Sequence, residues 1–149
     1  MIGLSDRESL ATAYLAMAER LGSRVLIQRQ AAPGTEVFVG MTNDEQFGPI
    51  VTLGLGGLFV EVFADTTTFL PPVDRDEALD HLSRLKAFPL LRGARGRPAV
   101  DLVALADAIV SFSQLASSVG RAVAEMDINP IIAGPSGCVA VDALVIPKR

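Results

Sequence analysis

The chain has 149 residues, a net charge of −4 and 50% hydrophobic residues. A chain of this length can bury most of its apolar surface in one core, so we expect a single domain. The acidic balance, the absence of tryptophan and the single tyrosine argue against a nucleic-acid-binding surface, which is normally basic and interleaved with aromatic side chains.

The sequence predicts neither a membrane segment nor secretion. Its longest uncharged run, Gln46–Val60, is interrupted by glycines and is shorter than the ~18 apolar residues that a spanning helix needs. The first residues lack the basic and apolar regions of a signal peptide. The lone cysteine, Cys138, has no partner for an internal disulfide and lies in a strand-like run, so we expect an inert thiol and a cytoplasmic protein.

The first predicted element is an amphipathic helix. Ser5 with Glu8 three residues later forms a capping-box pattern, and the helix is expected to end near Gly22. Its apolar face is predicted to consist of Leu10, Tyr14, Met17 and Leu21.

Three strands are predicted next. Val25–Gln28 is typical of a buried strand, Ala31–Gly34 of a turn, and Glu36–Gly40 of an antiparallel partner. After the polar turn Thr42–Glu45, a strand resumes over Gly48–Leu53.

A glycine-rich stretch, Gly54–Glu61, follows. Consecutive glycines allow close approach of the backbone to a ligand or to another segment. The stretch lacks the lysine ending of a P-loop and the spacing of a dinucleotide fingerprint, so by itself it is typical of a tight structural turn.

A short strand, Thr67–Leu70, precedes a helix that opens at Asp74 with Glu77 in the reciprocal capping position. Its apolar stripe consists of Leu79, Leu82 and Leu85. The only histidine, His81, lies off this stripe with no visible partner, which favours a surface or partly buried helix residue over a catalytic one.

The stretch Leu91–Pro98 is predicted to be a loop because of its glycine and proline content. Its three arginines suit either a solvated basic loop or a clamp for phosphate or carboxylate. Asp101 then begins a long helix that stops by Gly120. One face of that helix is predicted to carry Leu102, Leu105, Ile109, Phe112 and Leu115.

The chain closes with a predicted β-hairpin, whose turn consists either of Pro135–Ser136 alone or of all four residues Gly134–Gly137. A tight, even-numbered turn places Asn129 opposite Asp142, and strand alternation then puts Asp127 on the same face as both. The other face is expected to collect Ile128, Pro130, Ile132, Val139, Val141 and Ala143.

Two interpretations of these oxygen-bearing side chains remain open from spacing alone. Aspartate and asparagine beside a hairpin often cap turns or bind the backbone. Alternatively, Mg²⁺ takes oxygen ligands and usually keeps waters or substrate phosphates in its remaining positions, so a few protein oxygens on a strand pair suffice.

The element order is one helix, antiparallel strands, two helices and a terminal hairpin. This order predicts an α+β fold in which helices pack on one face of a mainly antiparallel sheet.

Taken together, an ordered series of motifs resembles the ATP-grasp domain of ADP-forming (NDP-forming) acyl-CoA synthetases, relatives of the succinyl-CoA synthetase β subunit. The resemblance runs through nearly the whole chain and covers the later, C-terminal part of that domain. It is carried by Val25–Gln28, Ala32–Glu36, Gln46–Pro49, Gly54–Glu61, Phe88–Pro98, Asp127–Pro130 and Val141–Ala143.

The resemblance implies a site for ATP or ADP with Mg²⁺. It implies that Gln28 and the backbone of Arg29 and Gln30 form the hinge against the adenine, and that Glu36 accepts hydrogen bonds from the ribose hydroxyls. An ionised carboxylate suits a diol because it accepts two hydrogen bonds at once. The resemblance also implies that Asn129 and Asp142 are Mg²⁺ ligands, with Asp127 in support.

The family's reaction interconverts acyl-CoA, ADP and phosphate with a carboxylic acid, CoA and ATP through a phosphohistidine on a mobile segment. That histidine lies outside the matched region, and His81 does not match it. The Gly54–Glu61 stretch is a candidate for receiving the segment. The resemblance thus implies two partners, in cis or in trans: the other ATP-grasp half and a unit that binds CoA and carries the phosphohistidine.

Two departures from the family pattern limit what carries over. The family's phosphate-binding lysines come from the earlier half of the domain, and neither Lys86 nor Lys148 is placed to replace them. Asn43 stands where many relatives are expected to have arginine. Because each lost charge-assisted phosphate contact is worth roughly 1.5–3 kcal/mol, the chain alone is predicted to be inactive.

Two function hypotheses follow. The first is an ATP-grasp subdomain of an acyl-CoA synthetase that contributes nucleotide and Mg²⁺ binding. The second is a non-catalytic nucleotide-binding or assembly module with the same fold, which forms a homo-oligomer through uncovered apolar surface.

Overall fold

The computed structural model describes residues 3–56, 65–94, 96 and 98–148. These residues fall into two compact units, Met1–Ala31 and Ala32–Arg149.

The first unit contains helix α1, Arg7–Leu21. Asp6 is its N-cap: Oδ1 of Asp6 accepts a hydrogen bond from the Ser9 N–H at 2.8 Å, and Oγ of Ser9 accepts one from the Asp6 N–H at 3.4 Å. The predicted cap at Ser5 is therefore wrong by one residue, because Asp6 has the reciprocal partner. Gly22 ends the helix with φ of 96°, a conformation that favours glycine.

The predicted strand at Val25–Gln28 is wrong. This segment adopts no regular secondary structure, and the side chains of Leu26 and Ile27 are 82% and 62% exposed. A strand is stabilised by hydrogen bonds to a neighbouring strand. In the described part of the chain, no strand forms a ladder with this segment.

Within the described residues, the second unit contains a six-stranded sheet in the order β3-β2-β1-β4-β5, with β6 also pairing with β4. Each of its pairings is antiparallel, as predicted. The strands are β1 Thr35–Asp44, β2 Gly48–Leu55, β3 Thr66–Phe69, β4 Val123–Gly134, β5 Gly137–Ala140 and β6 Ala143–Pro147.

In the described part of the chain after β3, this unit has three helices: α2 Arg75–Ser83, α3 Phe88–Leu91 and α4 Leu102–Val119. Asp74 and Glu77 form the predicted capping box of α2, and the Asp101 side chain caps α4 by accepting from the Ala104 N–H at 3.0 Å. Both predicted helix starts are confirmed. Their caps satisfy N–H groups that have no partner within the helix.

The core lies between the sheet and helices α2 and α4. Alternate residues of the central strands are fully or almost fully buried, and each such side chain contributes about 1.5–3 kcal/mol relative to exposure. The strand side of the core includes Val37, Val39, Met41, Val51, Leu53 and Leu55, and the helix side includes Leu82, Leu105, Ile109, Phe112 and Ala116. The α+β prediction is therefore confirmed.

Helix α4 is long and apolar enough to cross a bilayer by length and composition, with a mean hydropathy of 1.6. Its buried residues, among them Leu105, Ile109 and Phe112, pack in the core. Core helices of soluble proteins often have a similar length and composition. Leu115, predicted to lie on that face, is 48% exposed, and Ala116 takes the buried position instead.

Candidate functional site

The closing strands pair in the predicted register. Ile131 lies opposite Ala140 of β5, and Ile128 lies opposite Ala143 of β6. Between these pairs, the Asn129 N–H donates to the main-chain oxygen of Asp142 at 3.2 Å. Asn129 and Asp142 are therefore opposed, as the turn geometry predicts.

A β-bulge occurs at the same place on the other side of β4. The register between β1 and β4 shifts between Val37 and Val39, so Asn129 and Pro130 together oppose the single residue Phe38. Bulges of this kind re-aim side chains and are frequent beside active sites.

The bulge changes which residues of β4 face the core. Ile128 packs against the core before it, whereas Ile131 is buried after it. Strand alternation then turns Ile132 to the opposite face. The predicted apolar face that combined Ile128 with Ile132 is therefore wrong beyond Asn129, because the extra residue shifts the alternation by one position.

Asp127 lies on the sheet face opposite the core. It is paired with Gly40, and a Cβ atom on Gly40 would lie 3.5 Å from the Cβ of Asp127. Glu36 precedes Gly40 by an even number of residues on β1, so its side chain leaves the same face, about 13 Å further along the strand. Glu36 is exposed and Asp127 is half-buried.

The main chain of Glu36 is held from both sides. Its oxygen accepts a hydrogen bond from the Gly56 N–H at 2.7 Å, and on the other side the residue pairs with Ile132 of β4. The carboxylate is thus carried by a fixed segment of backbone.

The hairpin set of Asp127, Asn129 and Asp142 offers two carboxylates and one amide. Asn129 and Asp142 are exposed, and Oδ1 of Asp142 accepts a hydrogen bond from the Ala143 N–H at 2.9 Å. Across the described residues there is no cluster of three or more histidine, cysteine, aspartate or glutamate side chains that could hold a metal ion. The assignment of Asp127, Asn129 and Asp142 as Mg²⁺ ligands therefore stays a prediction.

The predicted hinge residues lie in the first unit. Gln28, Arg29 and Gln30 are exposed and follow α1 in a segment without regular secondary structure. The Oε1 atom of Gln30 accepts a hydrogen bond from the Gly3 N–H at 2.7 Å.

Asn43 has a role that sequence reasoning missed. Its side-chain nitrogen donates to the main-chain oxygens of Gly120 and Val123. Asn43 therefore ties the end of β1 to the connection between α4 and β4. Asn43, at the position where arginine was expected, therefore has a structural role.

His81 is a partly buried residue of α2, as predicted, and its ring Nδ1 lies 3.3 Å from the Thr67 hydroxyl oxygen. The ring of His81 stacks on Phe69 with centroids 4.4 Å apart, and burial lowers the pKa of His81. The Cys138 thiol donates to the Ala104 oxygen at 3.5 Å, and its pKa is raised by burial and by Asp101. A raised pKa keeps the Cys138 thiol protonated, and a protonated thiol is a poor nucleophile.

Two of the predicted loops are only partly described. Gly54 and Gly56 are described, but residues 57–61 of the glycine-rich stretch lie outside the described residues. In the basic loop the same holds for Arg95 and Arg97, so its suggested anion clamp stays a prediction.

The sequence and the fold of this chain both match those of known proteins. A family model described as an ATP-grasp domain matches residues 1–146. The β subunit of ADP-forming acetate–CoA ligase I from Pyrococcus furiosus is 45% identical over 122 residues, which are 82% of this chain and 52% of that protein. The β subunit of ligase II from the same organism is 39% identical over 140 residues, covering 93% of this chain and 58% of that protein.

Solved structures of related enzymes have the same fold as this chain. Dinucleotide-forming acetyl-coenzyme A synthetase 1 from Ca. Korarchaeum cryptofilum, in complex with coenzyme A, acetyl-coenzyme A and its phosphorylated phosphohistidine segment, superposes with a TM-score of 0.89 at 35% identity, over 99% of this chain and 69% of that chain. A second structure of that enzyme, with coenzyme A and Mg-AMPPCP, gives a TM-score of 0.86 at 38% identity, over 99% of this chain and 67% of that chain.

The chain spans between 52% and 58% of the length of these two curated relatives. The match covers both units of the structure and includes the sheet that carries Glu36 and the closing hairpin. The chain therefore belongs to the ATP-grasp family, in the group that includes the β subunits of ADP-forming acyl-CoA ligases.

Proposed function

We propose that this chain contributes the nucleotide and Mg²⁺ sites of an ADP-forming acyl-CoA ligase, which converts a carboxylic acid, CoA and ATP into acyl-CoA, ADP and phosphate. The observation that carries the proposal is the closing hairpin. It opposes Asn129 to Asp142 and places Asp127 two residues away, on the sheet face that also carries Glu36.

The hairpin set fits Mg²⁺ chemically. Carboxylate and amide oxygens are the ligands that this hard cation takes, and the exposure of Asn129 and Asp142 leaves room for phosphate and water. When bound, the ion neutralises charge on the nucleotide phosphates. Asn129 and Asp142 are the proposed ligands, and Asp127 adds a second negative charge beside them.

The nucleotide is proposed to extend from the hairpin towards Glu36. Glu36 accepts hydrogen bonds from both ribose hydroxyls and so fixes the sugar. In the first unit, Gln28 and the backbone of Arg29 and Gln30 bind the adenine. None of these residues forms or breaks a covalent bond, so the role of this chain is to bind and orient.

The proposed activity requires further protein. The relatives are longer, and the Korarchaeum enzyme has a phosphohistidine segment. We propose that another ATP-grasp half supplies phosphate-binding lysines, and that a unit with CoA-binding and phosphohistidine functions completes the reaction. Without them the chain binds nucleotide weakly and does not turn it over.

Calorimetric titration with Mg·ADP tests the metal assignment. Asn129→Ala and Asp142→Ala should each weaken binding roughly tenfold or more, because each removes an oxygen that interacts with a charged group. Asp76→Ala is the matched control, since Asp76 is an exposed carboxylate on α2. Equal binding by wild type and both hairpin variants would refute the assignment.

One observation favours assembly as a second role. All five residues of β6 are exposed, and Leu144, Val145 and Ile146 are 52%, 58% and 41% exposed. Apolar strands left uncovered at a sheet edge favour association. Light scattering of the purified chain tests for a homo-oligomer. A monomer at all concentrations would refute association of this chain with itself through β6.

A further inference from the structure

Gly56 contacts the proposed ribose-binding residue more closely than any side chain could. It is buried directly after β2, one residue beyond the last ladder pair, and it donates its N–H to the Glu36 oxygen at 2.7 Å. The preceding pair in that ladder is Val37 with Leu55, so Gly56 lies opposite Glu36.

A side chain at position 56 has no space. A Cβ atom built on Gly56 would lie 2.9 Å from the Cβ of Glu36 and 3.3 Å from its carbonyl carbon. Opposed residues in an antiparallel sheet normally have Cβ atoms about 4.5–5.5 Å apart. The obstructing atoms are backbone and Cβ, so rotation of the Glu36 side chain cannot relieve the contact.

Gly54 makes a different contact. A Cβ atom there would lie 2.5 Å from the ring of Phe38. Gly54 therefore makes room for an aromatic ring, whereas Gly56 makes room for the base of the Glu36 side chain. The two glycines of this short motif are required for separate reasons.

We propose that Gly56 is a positioning residue for nucleotide binding: its bare backbone sets the place of the Glu36 carboxylate and so determines how strongly the site recognises a ribose diol. This inference rests on the proposed function, because it takes Glu36 as the ribose-binding group. A methyl group at position 56 must move the Glu36 main chain or turn its carboxylate aside.

The test compares ADP with 2′,3′-dideoxy-ADP, each with Mg²⁺, by titrating the ¹⁵N-labelled chain and following amide shifts, which report weak binding. Wild type should bind ADP roughly tenfold or more tightly than the dideoxy nucleotide, and Glu36→Ala should remove that preference. Gly56→Ala should reduce the preference to near one while leaving dideoxy-ADP affinity within about twofold. A purely structural defect would weaken both nucleotides equally.

Two further variants isolate the pair. Gly134→Ala is the matched control, because the nearest atom to a Cβ there is 3.9 Å away, and it should keep the full preference. The double variant Glu36→Ala with Gly56→Ala should behave like Glu36→Ala alone, since the glycine acts through the carboxylate.

The outcomes separate the two proposals. If wild type binds ADP and 2′,3′-dideoxy-ADP equally, or if Glu36→Ala keeps the wild-type preference for ADP, the ribose role of Glu36 is overturned. A normal preference in wild type that Gly56→Ala retains would overturn the positioning role alone. Should Gly56→Ala fail to fold, as judged by lost amide dispersion, Glu36→Asp sets the carboxylate back by one methylene, and a retained preference would overturn the claim that placement matters.

Discussion

Asp65 is expected to be one of the most important polar residues for stability. Its side chain is buried, with 7% of the residue exposed, and its two carboxylate oxygens accept from the N–H groups of Lys86 at 2.9 Å and Ala87 at 2.8 Å. The carboxylate therefore joins the start of β3 to the turn between α2 and α3. Sequence reasoning missed this role, because the partners are backbone groups over 20 residues away.

Asp65→Ala removes both acceptors. Hydrogen bonds to a charged group contribute about 1.5–3 kcal/mol each, and the exposure of Lys86 lets water replace part of one, so we expect the free energy of unfolding to fall by about 2–4 kcal/mol. Asp65→Asn keeps one acceptor and should lose roughly half as much. Urea unfolding with a constant m-value measures both losses.

The control for this prediction is Asp80→Ala. Asp80 is also a hydrogen-bonded carboxylate, but its ion pair with Arg84 is exposed on α2, so its loss should cost about 0–1 kcal/mol. If Asp65→Ala is no more destabilising than Asp80→Ala, the buried carboxylate does not hold this turn.

Asn43→Ala should lower the free energy of unfolding by about 1–3 kcal/mol, because two carbonyl oxygens lose their donor; an unfolding midpoint in urea equal to that of wild type would contradict this. The N–H groups of Phe47 and Gln46 hold the pKa of Asp44 below 3.8, so its stabilising effect is present above that pH and disappears as pH falls through the lowered pKa. The melting temperatures of wild type and Asp44→Asn should accordingly differ at neutral pH and converge in strong acid. Burial lowers the pKa of His81 from 6.5, so its NMR titration midpoint should lie below 6.5 and stability should decrease as pH falls from 6.5 through that midpoint; a midpoint at or above 6.5 would contradict the packing against Phe69.

Local signals in the sequence predicted the elements whose determinants are local. The two-residue turn Pro135–Ser136 between β4 and β5 fixes the hairpin register, and that register opposes Asn129 to Asp142. Asp74 and Asp101 mark helix starts because a cap depends on residues only three positions away.

Features that depend on distant partners were not predictable. Val25–Gln28 has the composition of a buried strand, yet strand formation needs a neighbour that composition does not supply. The bulge at Asn129–Pro130 depends on the register with β1, which is some 90 residues away in sequence, and it reverses the face of Ile132.

The same limit applies to the candidate site. The glycine-rich stretch was recognisable as a place of close approach, but nothing near it in the sequence identifies Glu36 as the residue approached. Asn43 was recognisable only as a departure from a family pattern. Its bonds across the α4–β4 connection are a tertiary feature.

The most direct measurement of the central claim replaces Mg²⁺ with paramagnetic Mn²⁺ in the presence of ADP and records the amide resonances of the ¹⁵N-labelled chain. The metal assignment predicts that the resonances of Asp127, Asn129, Asp142 and Ala143 broaden first and that Asn129→Ala with Asp142→Ala abolishes this selectivity. Strongest broadening at the acidic start of α2, around Asp74–Glu77, with the closing hairpin unaffected, would contradict it.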